Sequence, residues 1–251
     1  MYSFKNKVYK NTADAGYDAY RFNGEDAVMS IATGGYSHDF GKRTIGGRIN
    51  YTSRDGEGKD IGGTDLQMLV QYTQDWKNWT FGGQVGVGFK YFPKLIVEGS
   101  AKYDFSGWEL EGGAMYRLMR DDASMIGINA IPSITLGHFY LSGKVALMTF
   151  KNNFFVNGLV RTRFYPFPGG KTFFEAQAGA GTAPELSFSD VYYDANLYNH
   201  LNTFVSCSLN WLITDNISFN LSGTWNTLYD QQESVRYRNM TIAHAQMVVY
   251  F

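Results

Sequence analysis

The sequence predicts an all-β chain folded as a transmembrane up-and-down antiparallel barrel of about fourteen strands. Three observations carry this. Apolar and polar residues alternate with period two over long stretches, so each stretch has one greasy and one polar face. Aromatic residues, 17% of the chain with 18 Tyr and 19 Phe, collect where those stretches end. Tight turns alternate along the chain with longer polar connections, as between the two sides of an outer-membrane barrel.

In chain order, a first strand is expected over 2–10, followed by a long polar connection over 11–26. Strands over 27–39 and 42–54 flank the tight Phe40-Gly41 turn, and a polar connection follows over 55–63. Strands over 64–75 and 79–90 flank Asp75 to Asn78, with Trp76 and Trp79 at the turn. Over 94–105, Leu95, Val97, Gly99, Ala101, Tyr103 and Phe105 share one parity. Lys94, Glu98, Ser100, Lys102 and Asp104 take the other, with Ile96 as the exception. After Ser106, the strand over 107–119 sets Trp108, Leu110, Ala114, Tyr116 and Leu118 against Glu109, Glu111 and Arg117. Strands over 123–136 and 138–150 meet at Gly137, and strands over 153–165 and 171–181 meet at Pro166 to Gly170. A long connection over 182–198 precedes the strand over 199–213, where Leu201, Val205, Cys207 and Leu209 oppose Asn202, Ser206, Ser208 and Asn210. Thr214 turns into the strand over 215–228, where Ile217, Phe219, Leu221 and Trp225 oppose Ser218, Asn220, Ser222 and Asn226. The connection over 229–234 leads to a last strand over 235–251. An even count places both termini on the periplasmic side. Twelve strands remain the alternative, because the stretch before residue 26 is the least regular.

Any half-buried sheet alternates, so a soluble sandwich or lipocalin-like barrel is the rival. Strand length argues against it. Most stretches exceed the roughly 5–6 residues of soluble strands and suit the roughly 9–11 of a tilted membrane strand. Ring placement argues the same way, since a bilayer draws amphipathic rings to its two interfaces. Such rings are Trp76 and Trp79, Tyr91-Phe92, Phe105 and Trp108, Phe139-Tyr140, Phe154-Phe155, Phe164-Tyr165 with Phe167, and Phe173-Phe174. The chain ends with Met247, Val249 and Phe251 on one parity, the pattern of an assembly signal read by the outer-membrane insertion machinery.

Composition excludes other classes. With 22 basic and 23 acidic residues there is no basic excess for nucleic acid. One cysteine, Cys207, leaves no disulfide framework and no Cys-rich metal site. No apolar run reaches the roughly 18–20 residues of a membrane helix, and the mean hydropathy is −0.27. Met1 to Lys5 lacks the apolar core of a signal peptide, as expected of a cytosolic chain or of a mature or excised one. The expectation is one barrel over 1–251, without a cofactor or metal, in a bacterial outer membrane. Its partners are outer-membrane lipid and lipopolysaccharide, the barrel assembly machinery, and a periplasmic or outer-membrane protein.

A series of short motifs runs through the middle of the chain. It begins with Arg48-Ile49-Asn50-Tyr51 and Phe92-Pro93, then Gly107-Trp108-Glu109 to Gly113 and Tyr116-Arg117. Gly137-His138-Phe139-Tyr140-Leu141-Ser142, Arg163-Phe164-Tyr165-Pro166 and Ala178-Gly179-Ala180-Gly181-Thr182-Ala183-Pro184-Glu185 follow. In order and spacing, over about residues 40–190, this resembles the YaiO-type outer-membrane β-barrel family. The resemblance implies a Gram-negative outer-membrane barrel, in some members attached behind periplasmic helical repeats. It supplies no catalytic residues.

The lumen is the first candidate site. Its polar parity offers Arg48, Lys102, Arg117, Lys144, Arg161 and Arg163 against Glu98, Glu109, Glu111 and Glu175. Inside a protein such charges must pair or stay hydrated. A wetted lumen gives a passage for small polar solutes or for a glycan strand; a paired one gives a closed barrel that docks a larger envelope complex. The connection 182–198 is the second candidate, an outer loop with Glu185, Asp190 and Asp194 beside Tyr192, Tyr193 and Tyr198. A lipid-modifying enzyme is the third reading, on His138 with Ser142, or His200 with Ser206 and Ser208. Residues two apart on a strand are about 7 Å apart, too far for a nucleophile–base pair, and neither Gly-x-Ser-x-Gly nor His-Glu-x-x-His occurs. The expectation is therefore not an enzyme. His38 and His244 are expected as lumen or girdle residues, and Cys207 on the lipid side. Met115, Met119, Met148 and Met247 read as lipid-facing or packing residues.

Overall fold

The computed structural model describes residues 9–23, 28–55, 63–90, 92–119, 123–151, 153–167, 170–182, 200–230 and 236–251. The first strands are β1 (Asn11–Asn23), β2 (Val28–Asp39), β3 (Arg43–Asp55), β4 (Gly63–Trp76) and β5 (Trp79–Gly88). Next come β6 (Leu95–Asp104), β7 (Trp108–Leu118), β8 (Ser124–Leu136), β9 (Phe139–Phe150) and β10 (Asn153–Phe164). The last are β11 (Phe173–Gly181), β12 (His200–Thr214), β13 (Ile217–Asp230) and β14 (Arg236–Tyr250). Each pairs antiparallel with its sequence neighbours, and β1 closes on β14, from Thr12 opposite Tyr250 to Asn23 opposite Asn239. Closure leaves no edge whose unpaired N–H and C=O groups would face hydrocarbon.

The faces sort as period two requires. Val160, Val205 and Leu221 stand outward, 67%, 59% and 46% exposed. Gln67, Ser206 and Asn226, of opposite parity, are buried inside. Cys207 is exposed on the outer face. Ile96, the exception to its strand's pattern, is fully buried on the inner face.

One correction concerns the start. The predicted strand over 2–10 and connection over 11–26 give way to a strand at Asn11–Asn23. Tyr9 and Lys10 belong to no strand, and residues 1–8 lie outside the described residues. The outward face of β1 is Ala13, Ala15, Tyr17 and Ala19, mostly small, and Asp14 and Asp18 face in. A weakly apolar face interrupted by acids reads as a polar loop. The ladder bonds to β2 and β14 hold it as a strand anyway.

The aromatic pairs also split, because neighbours on a strand point opposite ways. Phe154 and Phe174 are exposed outside, whereas Phe155 is buried inside and Phe173 shares its face with Glu175. Trp76, Trp79, Phe105 and Trp108 are exposed at the end where the tight turns lie. There Phe105 follows Asp104, whose carboxylate accepts the Ser106 amide at 2.8 Å, and Gly107 sits at φ 108 where a side chain would be strained. The Asp39-Phe40-Gly41 turn repeats this, with Asp39 accepting the Gly41 amide at 2.6 Å.

Tight turns at 40–42, 77–78, 105–107, 137–138 and 215–216, and both strand ends nearest the termini, share one rim. The strand ends at Asp55 and Gly63, Gly88 and Leu95, Leu118 and Ser124, and Gly181 and His200 share the other. Near that second rim the interior carries two apolar clusters beside the buried polar side chains of Thr52, Asp65 and Asn202. Met119, Met125, Ala146, Met148, Phe150 and Phe155 form one cluster inside β7–β10. Tyr20, Met29, Ile31, Ile242 and Phe92 form another, four of them on β14, β1 and β2. Met115, Met119 and Met148 are thus inward packing residues rather than lipid-facing ones, and Met247 faces out.

Candidate functional site

The lumen between the rims is charged, and most of the charge is paired. The Arg117 guanidinium donates to Glu98 Oε1 from Nη2 at 2.6 Å and from Nε at 3.2 Å. Glu98 Oε2 lies 3.4 Å from the Gln84 amide, which accepts from Gln71 at 2.9 Å. Lys102 donates to Glu109 at 3.2 Å, and Ser133 donates to the other oxygen of Glu109. Near the tight-turn rim Glu175, 10% exposed, receives Arg163 at 2.5 Å with Arg161 at 3.7 Å. The Arg163 guanidinium also lies 4.9 Å from the Phe173 ring centre and 5.4 Å from that of Tyr140. Arg161 reaches the Gln177 carbonyl at 3.5 Å.

These contacts follow from register. Arg163 stands directly opposite Glu175 in the β10–β11 ladder. Lys102 stands opposite Glu111 but bonds diagonally to Glu109. Arg117 likewise reaches Glu98 on a diagonal, since its own partner across the ladder is Ile96. Diagonal neighbours at about 7–8 Å suit long side chains.

Arg48, the last of the candidates to pair, meets Asp14 at 3.3 Å, and Gln246 donates to the same oxygen at 3.0 Å. His244 Nδ1 stands 2.6 Å from Asp18. Asp14 and Asp18 were invisible as site residues while β1 read as a loop; their spacing of four, on one parity, is the signal that was there.

Glu111 and Lys144 make no ion pair or side-chain hydrogen bond among the described residues. Both face a water-accessible cavity of about 360 Å³, walled also by Gln71, Gln84, Glu98, Ser100, Arg117 and Asn129. Lys144 further borders a smaller recess lined by Met115, Asn129, Met148, Asn157 and Leu159. The structure therefore brings all ten candidates to the inner face, ties eight into ion pairs, and leaves Glu111 and Lys144 unpaired among the described residues. Among the described residues no cluster of three or more His, Cys, Asp or Glu could hold a metal.

The other candidates fall elsewhere. Glu185, Asp190, Tyr192, Tyr193 and Asp194 lie outside the described residues. His138 sits in a tight turn with Nδ1 2.7 Å from the Tyr165 carbonyl oxygen, whereas Ser142 is buried in the lumen. Ser206 accepts from Thr224 at 2.8 Å. His38 lies at the rim, its ring 4.4 Å from that of Phe40. Met247 is exposed on the outer face, and Val249 shares its parity; Phe251 bonds through its backbone to Asn11 at 2.8 Å and 3.0 Å.

Sequence reasoning missed Asp65. This carboxylate, 5% exposed at the second rim, accepts the amides of Lys90 and Phe92 at 2.7 Å each and of Phe89 at 3.3 Å. It thereby draws the β5–β6 connection inward. Phe92-Pro93 had read as an interfacial ring before a strand; Phe92 is instead 1% exposed and packed with the β14–β1–β2 cluster. Burying a ring of that size contributes about 1.5–3 kcal/mol. Gly88 is the legible trace, because a Cβ there would collide with Phe92 and the Pro93 carbonyl.

Solved structures share the architecture. A "Bacterial polysaccharide outer membrane secretin" superposes with TM-score 0.60 at 8% identity, over 98% of this chain and 100% of that one. "TodX deltaS2S3 mutant monoaromatic hydrocarbon channel" gives 0.61 at 8% identity, over 97% and 91%. "Anion-selective porin from Comamonas acidovorans" gives 0.52 at 9% identity, over 97% and 99%. At such identities the likeness is one of fold. The comparison with curated proteins gives no match. The YaiO membrane beta barrel domain matches residues 10–186, most of the chain. With the closed sheet, the outward apolar face and the inward charges, that match makes the chain a bacterial outer-membrane β-barrel belonging to the YaiO membrane beta barrel domain family.

Proposed function

We propose that the barrel is a gated passage for small polar solutes, short glycans included, with its termini and tight turns on the periplasmic side. The observation that supports this is the cavity of about 360 Å³ in mid-lumen, faced by Glu111 and Lys144 without ion-pair partners. A purely structural interior has no use for unpaired charge, which costs free energy unless it is hydrated. Hydrated charge of both signs suits solutes that carry hydroxyls and partial charge. The fold shared with a porin, a secretin and a hydrocarbon channel is one on which passages are built, and it names no solute.

In planar bilayers the purified protein should give stepwise currents. Lys144→Glu should shift the reversal potential in a salt gradient toward cation preference, since it reverses one of the two charges left unpaired in the lumen among the described residues. Silence at all voltages, or a reversal potential indifferent to Lys144→Glu, would contradict the passage. A second reading, a closed barrel that docks a periplasmic or outer-membrane partner, draws on the two apolar clusters inside the barrel near the second rim. It predicts a stoichiometric partner in gentle detergent extracts alongside bilayer silence.

A further inference from the structure

We propose that the β5–β6 connection is a lid seated in the mouth of the barrel and latched by Asp65. The proposal takes its purpose from the passage reading, but its geometry stands apart from it. A connection at this rim could project outward, as connections usually do, because burying one buries backbone polar groups. Here Phe92 and Pro93 are buried while Phe89, Lys90 and Lys94 stay exposed, and most of the amides leading into the buried pair are held by one carboxylate. The Asp65 carboxylate, on the inner face of β4, takes the amides of Phe89, Lys90 and Phe92. These are charge-assisted bonds, roughly twice as strong as neutral ones.

The backbone is cleared for this motion. Gly88, the last residue of β5, has no Cβ where Phe92 and the Pro93 carbonyl come to rest. Phe92 then reaches past the wall that carries it. Its neighbours Tyr20, Met29, Ile31 and Ile242 lie on β1, β2 and β14, several strands away around the barrel. The connection thus spans part of the mouth rather than lining one side.

The seated position also has a cost, which is what separates a lid from a permanent plug. Gln67, next to the latch on β4 and opposite Gly88, is fully buried. Its amide oxygen accepts from Asn50 at 2.6 Å, but Gln67 Nε2 and Asn50 Oδ1 have no partner among the described residues. Both atoms would regain hydrogen bonds if water entered beneath a lifted lid. Two stranded polar atoms oppose closure while one carboxylate and one ring favour it, an arrangement balanced enough to move.

The test reads access to the wall under the lid, using the full chain folded in bilayers. In a Cys207→Ala background, Gln67→Cys places a thiol on the rigid strand beneath the lid. A membrane-impermeant maleimide added from the second-rim side should modify it slowly. Adding Asp65→Asn should raise that rate about tenfold or more, the factor set by one charge-assisted hydrogen bond. Phe92→Ser should do the same from the other end of the lid, which covers the case that Asp65→Asn does not fold; heat-modifiable mobility on gels reports folding. A rate unchanged in a folded variant overturns the latch. The readout needs no ionic current. Faster labelling with silent bilayers would keep the lid and sink the passage, and stepwise currents with unchanged labelling would do the reverse.

Discussion

Glu175→Gln should destabilise the barrel by about 3 kcal/mol, read as a lowered urea midpoint in detergent micelles with an unchanged slope. Glu175 is the sole carboxylate bound to Arg163 and Arg161 among the described residues, and it is the most buried of the three. Arg163 and Arg161 keep only 28% and 30% side-chain exposure, so water replaces little of what the carboxylate supplied. The loss comes from leaving two part-buried guanidinium groups without a carboxylate, Arg161 keeping only its contact to Gln177, and not from the worth of the pair itself. The triple change Glu175→Leu, Arg161→Met and Arg163→Met should therefore recover most of the stability. Phe173 and Tyr140 already flank the site with apolar surface. A single substitution that is as harmless as the triple would show that these charges are already wet, which would favour a wide lumen at the tight-turn rim.

Leu221→Arg should cost about 2–4 kcal/mol in a bilayer, the penalty for a guanidinium on the lipid face near mid-membrane. Leu221 faces outward on β13 between Phe219 and Trp225, which share its parity. Asn220→Arg, one residue away, should leave stability nearly unchanged, because its side chain points into the lumen toward the face of Gln246 and Asp14. Unfolding titrations in phosphatidylcholine vesicles of both variants provide the comparison. Equal penalties would mean that the two faces do not differ in solvent.

The strands legible in the sequence were those whose two faces differ in kind. β13 alternates Phe219, Leu221 and Trp225 with Asn220, Ser222 and Thr224, and its predicted and observed spans nearly coincide. β1 escaped because its outer face is built from alanines, which lipid accepts but periodicity barely registers. The polar parity located all ten charged candidates on the inner face, since inside and outside are fixed by parity alone. Pairing was less legible. Lys102 bonds Glu109 rather than the directly opposed Glu111, a choice made by side-chain reach across a twisted sheet. The seated connection left only Gly88 as a trace in the sequence. Its cause is Asp65, more than twenty residues upstream, and no local pattern in Phe89 to Lys94 announces that a distant carboxylate will gather those amides.

The account rests on apolar side chains facing lipid and ionic ones facing the lumen. Spin labels placed singly at positions 219 to 226, in a Cys207→Ala background reconstituted in vesicles, test this most directly. Collision with oxygen, which concentrates in hydrocarbon, should peak at 219, 221, 223 and 225 and fall at the positions between. Collision with a water-soluble nickel chelate should not peak at the odd positions. The opposite phase, or no alternation with period two, would contradict a barrel turned greasy side out.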